Sequence, residues 1–226
     1  MVGAIIQARM GSTRLPGKVL KPIGDKTLLE HIFSRLKKLK HSVKIVLATS
    51  NDVKDNILEQ FCNERAIECF LGSEDNVLER YFFCAKQHAF EHIIRLTADN
   101  PFVDIEELDR LIDLHISSQA DYSHSFSSLP IGIGSEVFTF AALEKSYKEG
   151  LLPNQIEHVN EYITDNPNAF KISELKVYGE KNRPDIRLTI DNEYDYHKAC
   201  YIVKQNNYDY VDTNTAIRLG TLFENE

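Results

Sequence analysis

The sequence has no excess of positive charge: 26 lysines and arginines stand against 34 aspartates and glutamates, a formal net charge of −8. Nucleic-acid binders cluster Lys and Arg over a broad face, so this balance argues against that class and leaves only local basic spots. Cysteine is sparse as well. Cys62, Cys69, Cys84 and Cys200 form no C-x-x-C pair and sit among apolar neighbours, where cysteine behaves as a small core residue. No zinc site is expected, and the compartment reads as reducing. No apolar run approaches the ~20 residues that cross a bilayer, and VGAII is too short for a secretion signal and lacks its basic leader. A soluble cytoplasmic protein is expected. Internal repeats, low-complexity tracts and linkers are absent too.

What is present is alternation. With 226 residues, 42% of them hydrophobic, the chain can bury one sizeable core, so residues 1–226 read as a single domain. VGAII, the amphipathic TLLEHIFSRLKKLK and VKIVLAT make one β-α-β unit. A helix around 53–64, the strand IECFL, a helix around 76–90, the strand HIIRLTA and the helix DIEELDRLIDLHI continue it. This order predicts an α/β fold whose largely parallel sheet is covered on both faces. The aromatic residues Tyr81, Phe82 and Phe83 fall on one of these amphipathic helices and read mostly as core. Residues 121–165 depart from the pattern: DYSHSF and EVFTF look like strands split by the turn-rich SSLPIGIGS, and EKSYKEG looks helical. They read as an irregular substrate-side or dimerisation excursion. FKISELKVY and DIRLTI then read as strands, and DYHKACYIVKQ as a helix.

In an open parallel sheet, ligands sit beyond the carboxyl ends of the strands, so the loop after VGAII faces the binding crevice. It holds Arg9, Arg14 and Lys18 among Gly11, Pro16 and Gly17. The P-loop reading fails, because five residues separate Gly11 from Gly17 where G-x-x-x-x-G-K-[ST] has four, and Val19 replaces the hydroxyl residue. G-x-G-x-x-G is also absent there, which removes the usual basis for a dinucleotide site. Three cations and free backbone N–H groups suit a triphosphate whose leaving pyrophosphate needs neutralising; the alternative is an exposed basic turn. Asp99 leaves the apolar strand RLTA at the crevice and precedes Pro101. It is placed to give a magnesium ion a hard oxygen ligand, or else to cap the turn. Glu136 follows Gly132 and Gly134 and either receives acceptor hydroxyls or is an edge-strand charge.

Six blocks carry a resemblance: IIQARMGSTRLPGKVLKPIGDKTLLEHI (5–32), LATSN (47–51), LGSEDNVLERY (71–81), RLTADNP (95–101), EVFTFAALEKSY (136–147) and RLTID (187–191). In this order and over most of the chain they resemble the cytidylyltransferases that make CMP-activated sugars, especially the branch of spore coat polysaccharide biosynthesis protein F.

The resemblance implies a three-layer α/β/α Rossmann-like nucleotidyltransferase fold and a homodimer. It places Arg9, Gly11, Ser12, Arg14 and Lys18 around the triphosphate. Thr49, Ser73 and Asp75 fall on the nucleotide side, although Ser73 or Asp75 can equally cap the next helix. Asp191 resembles the aspartate of T-[IV]-D-T-P-E-D that helps Asp99 bind the metal. Here the run reads TIDNEYD, which keeps Asp191 and Asp195 but leaves Asp195 open between a site role and a helix-first-turn acid. Glu157 and His158 lie in IEHVNEYI, similar to a segment beside the acceptor pocket; a packed or solvent-facing histidine is the other reading. The expected function is Mg²⁺-dependent transfer of CMP from CTP to a sugar or sugar acid in surface polysaccharide biosynthesis. The alternatives are another NTP or a phosphorylated small alcohol as substrate, or a silent sugar-nucleotide binding subunit. A glycosyltransferase would be favoured by a D-x-D motif, which TADNP does not provide.

Overall fold

β1 (Val2–Gln7) buries four consecutive residues, Gly3 to Ile6, so it meets no water on either face and must lie inside a sheet. The computed structural model describes residues 1–206 and 210–225. After the loop that follows β1, the short strands β2 (Pro22–Ile23) and β3 (Lys26–Thr27) pair as a hairpin. The hairpin runs into α1 (Leu28–Leu36), which starts on a capping box: Thr27 Oγ1 accepts from the Glu30 N–H while the Thr27 N–H donates to the Glu30 carboxylate. Next come β4 (Val43–Ser50), α2 (Asn56–Glu64), β5 (Glu68–Gly72), α3 (Val77–Gln87), β6 (His92–Thr97) and α4 (Ile105–Ser118). They alternate as the apolar periodicity predicts.

β7 (Tyr122–His124), β8 (Glu136–Thr139), α5 (Phe140–Glu149), α6 (Pro153–Glu157), α7 (Glu161–Asp165), β9 (Ile172–Glu174), α8 (Glu193–Gln205) and α9 (Thr213–Glu224) complete the described elements. The sheet order is β5-β4-β1-β6-β8-β7-β9. Among the described residues β8 alone runs against the other strands of this sheet. Side-chain alternation along β1 feeds two cores: Ala4 and Ile6 join the apolar residues of α1, α2, α4, α8 and α9, while Ile5 joins those of α3, α5 and α7. The result is the three-layer α/β/α architecture with a mostly parallel sheet.

The strands expected in DYSHSF and EVFTF form as β7 and β8 and extend the sheet beyond β6. Two sequence expectations change. Phe83 is 42% exposed, whereas Tyr81 and Phe82 are core. DIRLTI forms no regular strand: it makes one parallel bridge, with Ile131 N–H donating to Ile186 O and Leu188 N–H to Ile131 O, both at 2.8 Å. Ile186, Leu188 and Ile190 still alternate into the core, which is the signal the pattern carried. Its backbone partners are loops, and Gly132 permits the approach. Gly132 has φ +94°, and a Cβ there would lie 2.5 Å from the Thr189 nitrogen.

Candidate active site

The loop after β1 is pinned at several points, and the pinning aims its cations. Met10 N–H donates to the buried Asp55 carboxylate at 2.7 Å, and Gly17 N–H to Met10 O at 3.2 Å. Leu15 and Val19 are driven into the core, 1% and 2% exposed, so Lys18 between them projects into the crevice. The crevice is a cavity of about 360 Å³ beyond the carboxyl ends of β1 and β6. Arg9, Gly11, Ser12, Arg14, Lys18, Asp99, Glu157, His158 and Asp191 all line it.

Lys18 Nζ donates to Asp99 Oδ2 at 3.3 Å, to Asp191 Oδ1 at 3.1 Å and to Ile190 O at 2.6 Å. One ammonium therefore ties together two carboxylates that are remote in sequence. Asp99 is oriented from its other oxygen, which accepts from Thr97 Oγ1 at 2.5 Å, and Thr97 in turn accepts from Asn100 Nδ2 at 2.8 Å. The Asp99 carbonyl accepts from Ile190 N–H at 2.9 Å, which locks the two segments side by side. Arg14 reaches Asp191 at 3.5 Å, and Arg187 is in direct ion-pair contact with it. Burial pushes the Asp191 carboxyl up, but Lys18 and Arg187 outweigh this and hold it below the usual carboxylate range. Asp195 is 4% exposed and opens α8: its carboxylate accepts from the Asp191 and Asn192 N–H groups at 2.9 and 3.3 Å, and its own N–H donates to Asn192 Oδ1 at 3.0 Å. It is the helix-start acid of the two readings.

Four residues assigned to ligands from the sequence do not line this cavity. Thr49 is fully buried in β4, with no hydrogen-bond partner for Oγ1 among the described residues. Ser73 Oγ accepts from Asn76 N–H at 3.1 Å within the turn before α3, Asn76 itself is the helix cap, and Asp75 is exposed. Glu136 lies on an interior strand, not an edge. It is 1% exposed, pairs directly with Arg95 and accepts from Tyr122 Oη at 2.6 Å. Burial, reinforced by Glu136, pushes the Tyr122 hydroxyl pKa far up. His158 follows α6, exposed at the mouth of the cavity, and Arg9 lies 3.6 Å from Glu157. Thr97 and Arg80 also line the cavity and Arg187 pairs with Asp191, three placements the sequence pattern does not single out. Thr97 and Arg187 lie inside the blocks RLTADNP and RLTID, beside Asp99 and Asp191.

A cationic loop after the first strand of a mostly parallel sheet, facing two carboxylates across the crevice, defines a nucleotidyltransferase of Rossmann-like fold. A family model described as cytidylyltransferase matches residues 3–215, and the chain belongs to that family. It is 40% identical over 204 residues, 87% of this chain and 85% of the relative, to the spore coat polysaccharide biosynthesis protein SpsF of Bacillus subtilis. Among solved structures, a cytidylyltransferase from Leptospira borgpetersenii superposes with a TM-score of 0.87 at 32% identity, covering 99% of this chain and 94% of that one. The CMP:2-keto-3-deoxy-manno-octonic acid synthetase complexed with CTP shares the fold at 15% identity, with a TM-score of 0.67 over 90% of this chain and 98% of that one. The protein is an enzyme, a nucleotidyltransferase. Among the described residues, no helix is long and apolar enough to cross a membrane.

Proposed function

We propose that this enzyme transfers CMP from CTP to a hydroxyl of a sugar or sugar acid, with Mg²⁺ and release of pyrophosphate, in surface polysaccharide biosynthesis. The observation that carries the reading is the Lys18 ammonium between Asp99 and Asp191. Two carboxylates that already share a cation have the donor chemistry a magnesium ion takes. Asp99 and Asp191 would hold it, and when bound it would neutralise charge on the phosphate oxygens.

The chain's own residues do the rest. The acceptor hydroxyl gives up its proton to solvent and its oxygen attacks the α-phosphorus in line, forming the new P–O bond as the bond to the α,β-bridging oxygen breaks and that oxygen leaves with pyrophosphate. Arg9, Arg14 and Lys18 receive the charge that builds on pyrophosphate, and His158 at the cavity mouth holds the acceptor. No covalent nucleophile takes part. The SpsF relative supports the polysaccharide assignment, and the CTP-bound synthetase of the same fold supports the nucleotide.

The test is pyrophosphate release from CTP against a panel of sugar acids, sugars and phosphorylated alcohols. Turnover with a sugar or sugar acid is expected; turnover with ATP or GTP alone would replace the cytidylyl assignment. We also propose a cytoplasmic homodimer that uses residues 121–165, where Phe126, Ile131, Leu151 and Leu152 are exposed. Light scattering that finds a monomer at micromolar concentration would remove the dimer.

A further inference from the structure

Arg80 is a charged residue that the protein buries and does not pair. It lies on α3, 2% exposed, and its side chain lines the crevice alongside Arg9. Its Nη1 donates to the Ser73 carbonyl at 2.8 Å, while its buried Nε has no hydrogen-bond partner among the described residues. Asp55 and Glu157 act on it only through longer-range attraction, and no described carboxylate forms an ion pair with it. Burial disfavours its charge, and the nearby Arg9 works in the same direction.

Two other well-buried arginines show what a structural arginine looks like in this fold. Arg35 donates to the carbonyls of Val103 at 3.2 Å and Val211 at 2.5 Å, and stacks 4.4 Å from the Tyr210 ring centroid. Arg95 is matched by Glu136 and also donates to Gln7 Oε1 at 3.2 Å. Their planar heads are occupied by protein groups, as a buried guanidinium requires. Arg80 has one neutral carbonyl, its Nε has no partner among the described residues, and the residue lines the cavity.

The backbone makes room for this placement. At Gly72, where β5 ends, a Cβ would lie 2.9 Å from Arg80 Cγ and 3.0 Å from the Phe70 ring. The stem of Arg80 occupies the volume that any side chain at position 72 would need. Two guanidinium groups that repel each other across one cavity are both stabilised by an anion placed between them, and a phosphate oxygen matches the geometry of the arginine fork.

We infer that Arg80 binds a phosphate oxygen of the nucleotide, shared with Arg9, an assignment that rests on the nucleotidyl-transfer reading above. The crevice then holds the phosphate chain from two sides, the loop after β1 and the first turn of α3.

Calorimetry on Arg80→Met and Arg80→Lys with CTP and Mg²⁺, with CMP and with pyrophosphate, together with thermal melting, tests this. Arg80→Met should weaken CTP at least about tenfold, with a parallel loss for CMP or pyrophosphate, and should melt no lower than the parent, since it removes a poorly compensated buried charge. Arg80→Lys, which keeps the charge and loses the fork, should recover only part of the affinity. Unchanged affinity of Arg80→Met for all three ligands would overturn the assignment. So would weaker binding accompanied by a lower melting temperature, which would mark a structural brace. A parent protein that binds pyrophosphate without preferring CTP would end the cytidylyl reading alone, with Arg80 then judged on pyrophosphate. A parent that binds none of the three would end both.

Discussion

Lys18 Nζ stands 3.3 Å from Asp99 Oδ2, so the loop after β1 and the turn after β6 are joined across the crevice by one ion pair. Because the same ammonium also contacts Asp191, its position is set by both carboxylates together. A group held in this way is aimed before substrate arrives.

Arg14 is the more exposed partner, its side chain 66% exposed and 3.5 Å from Asp191. Pyrophosphate gains charge as it leaves, so Arg14→Ala should lower kcat more than it weakens CTP. A charge-assisted hydrogen bond contributes on the order of 1.5–3 kcal/mol, which gives a loss of roughly tenfold to a hundredfold in kcat/KM. Lys18→Ala should behave in the same way and lose at least as much. If Arg9→Ala, Arg14→Ala and Lys18→Ala all keep near-parental kinetics, the loop does not hold a triphosphate.

Asp99→Asn keeps the shape of the side chain and removes its charge. Turnover should fall by roughly a hundredfold or more, because several kcal/mol of charge stabilisation are lost at the phosphates. Magnesium-dependent CTP binding should weaken with it, while melting changes little. Activity close to the parent would leave Asp99 as a turn residue accepting from Thr97.

Glu136 gives the opposite signature. Glu136→Ala strands the Arg95 charge in the interior, a change that costs about 3–5 kcal/mol in comparable buried pairs. Melting should drop by about 10 °C for a chain of this size. A raised KM for the acceptor at unchanged melting temperature would instead make Glu136 a ligand-binding residue.

His115 supplies a pH dependence. Burial, with His92 close by, lowers its pKa from 6.5 to about 4. Above pH 6.5 the imidazole is neutral in both states, and the fold keeps its full stability. As pH falls below 6.5 the unfolded chain takes up a proton that the folded chain refuses until about pH 4, so stability declines across that window. The decline from this residue is about 3 kcal/mol when complete. Urea midpoints measured from pH 7 to pH 4.5 should show it, and His115→Gln should flatten the slope.

The frame of the fold was legible because the central strands β1 and β4 carry continuous buried runs while the helices bury one face, which writes two different patterns into the sequence. The Arg9, Arg14 and Lys18 loop was legible because a strand end precedes it and glycines interrupt it. Other features depend on facts no local pattern contains. DIRLTI has the alternation of a strand, but its partners are the 131–133 turn and Asp99, so it stays irregular. α9 is muted in the pattern because Gly220 and its threonines dilute the apolar face of Ala216, Ile217 and Leu219. Arg80 reads as an ordinary polar residue of an amphipathic helix until β5 and the loop after β1 close around it. Glu136 reads as an acceptor-binding residue or an edge-strand charge until β8 is found between β6 and β7.

The close passage of residues 186–190 over Gly132 has a consequence for how the enzyme comes into being. The loop after β1, the turn after β6 and the Asp191 segment come from the first tenth, the middle and the last fifth of the chain, and the hydrogen bond from Ile190 to Asp99 is among the contacts that join them. Contacts of such long sequence separation carry a large loop-closure cost and tend to form late. A nascent or proteolysed chain that ends before residue 186 retains the strands β5, β4, β1 and β6 and the cationic loop, yet lacks one of the two carboxylates around Lys18. On the proposed mechanism such chains should turn over no CTP, so activity should appear only with the last long-range closure.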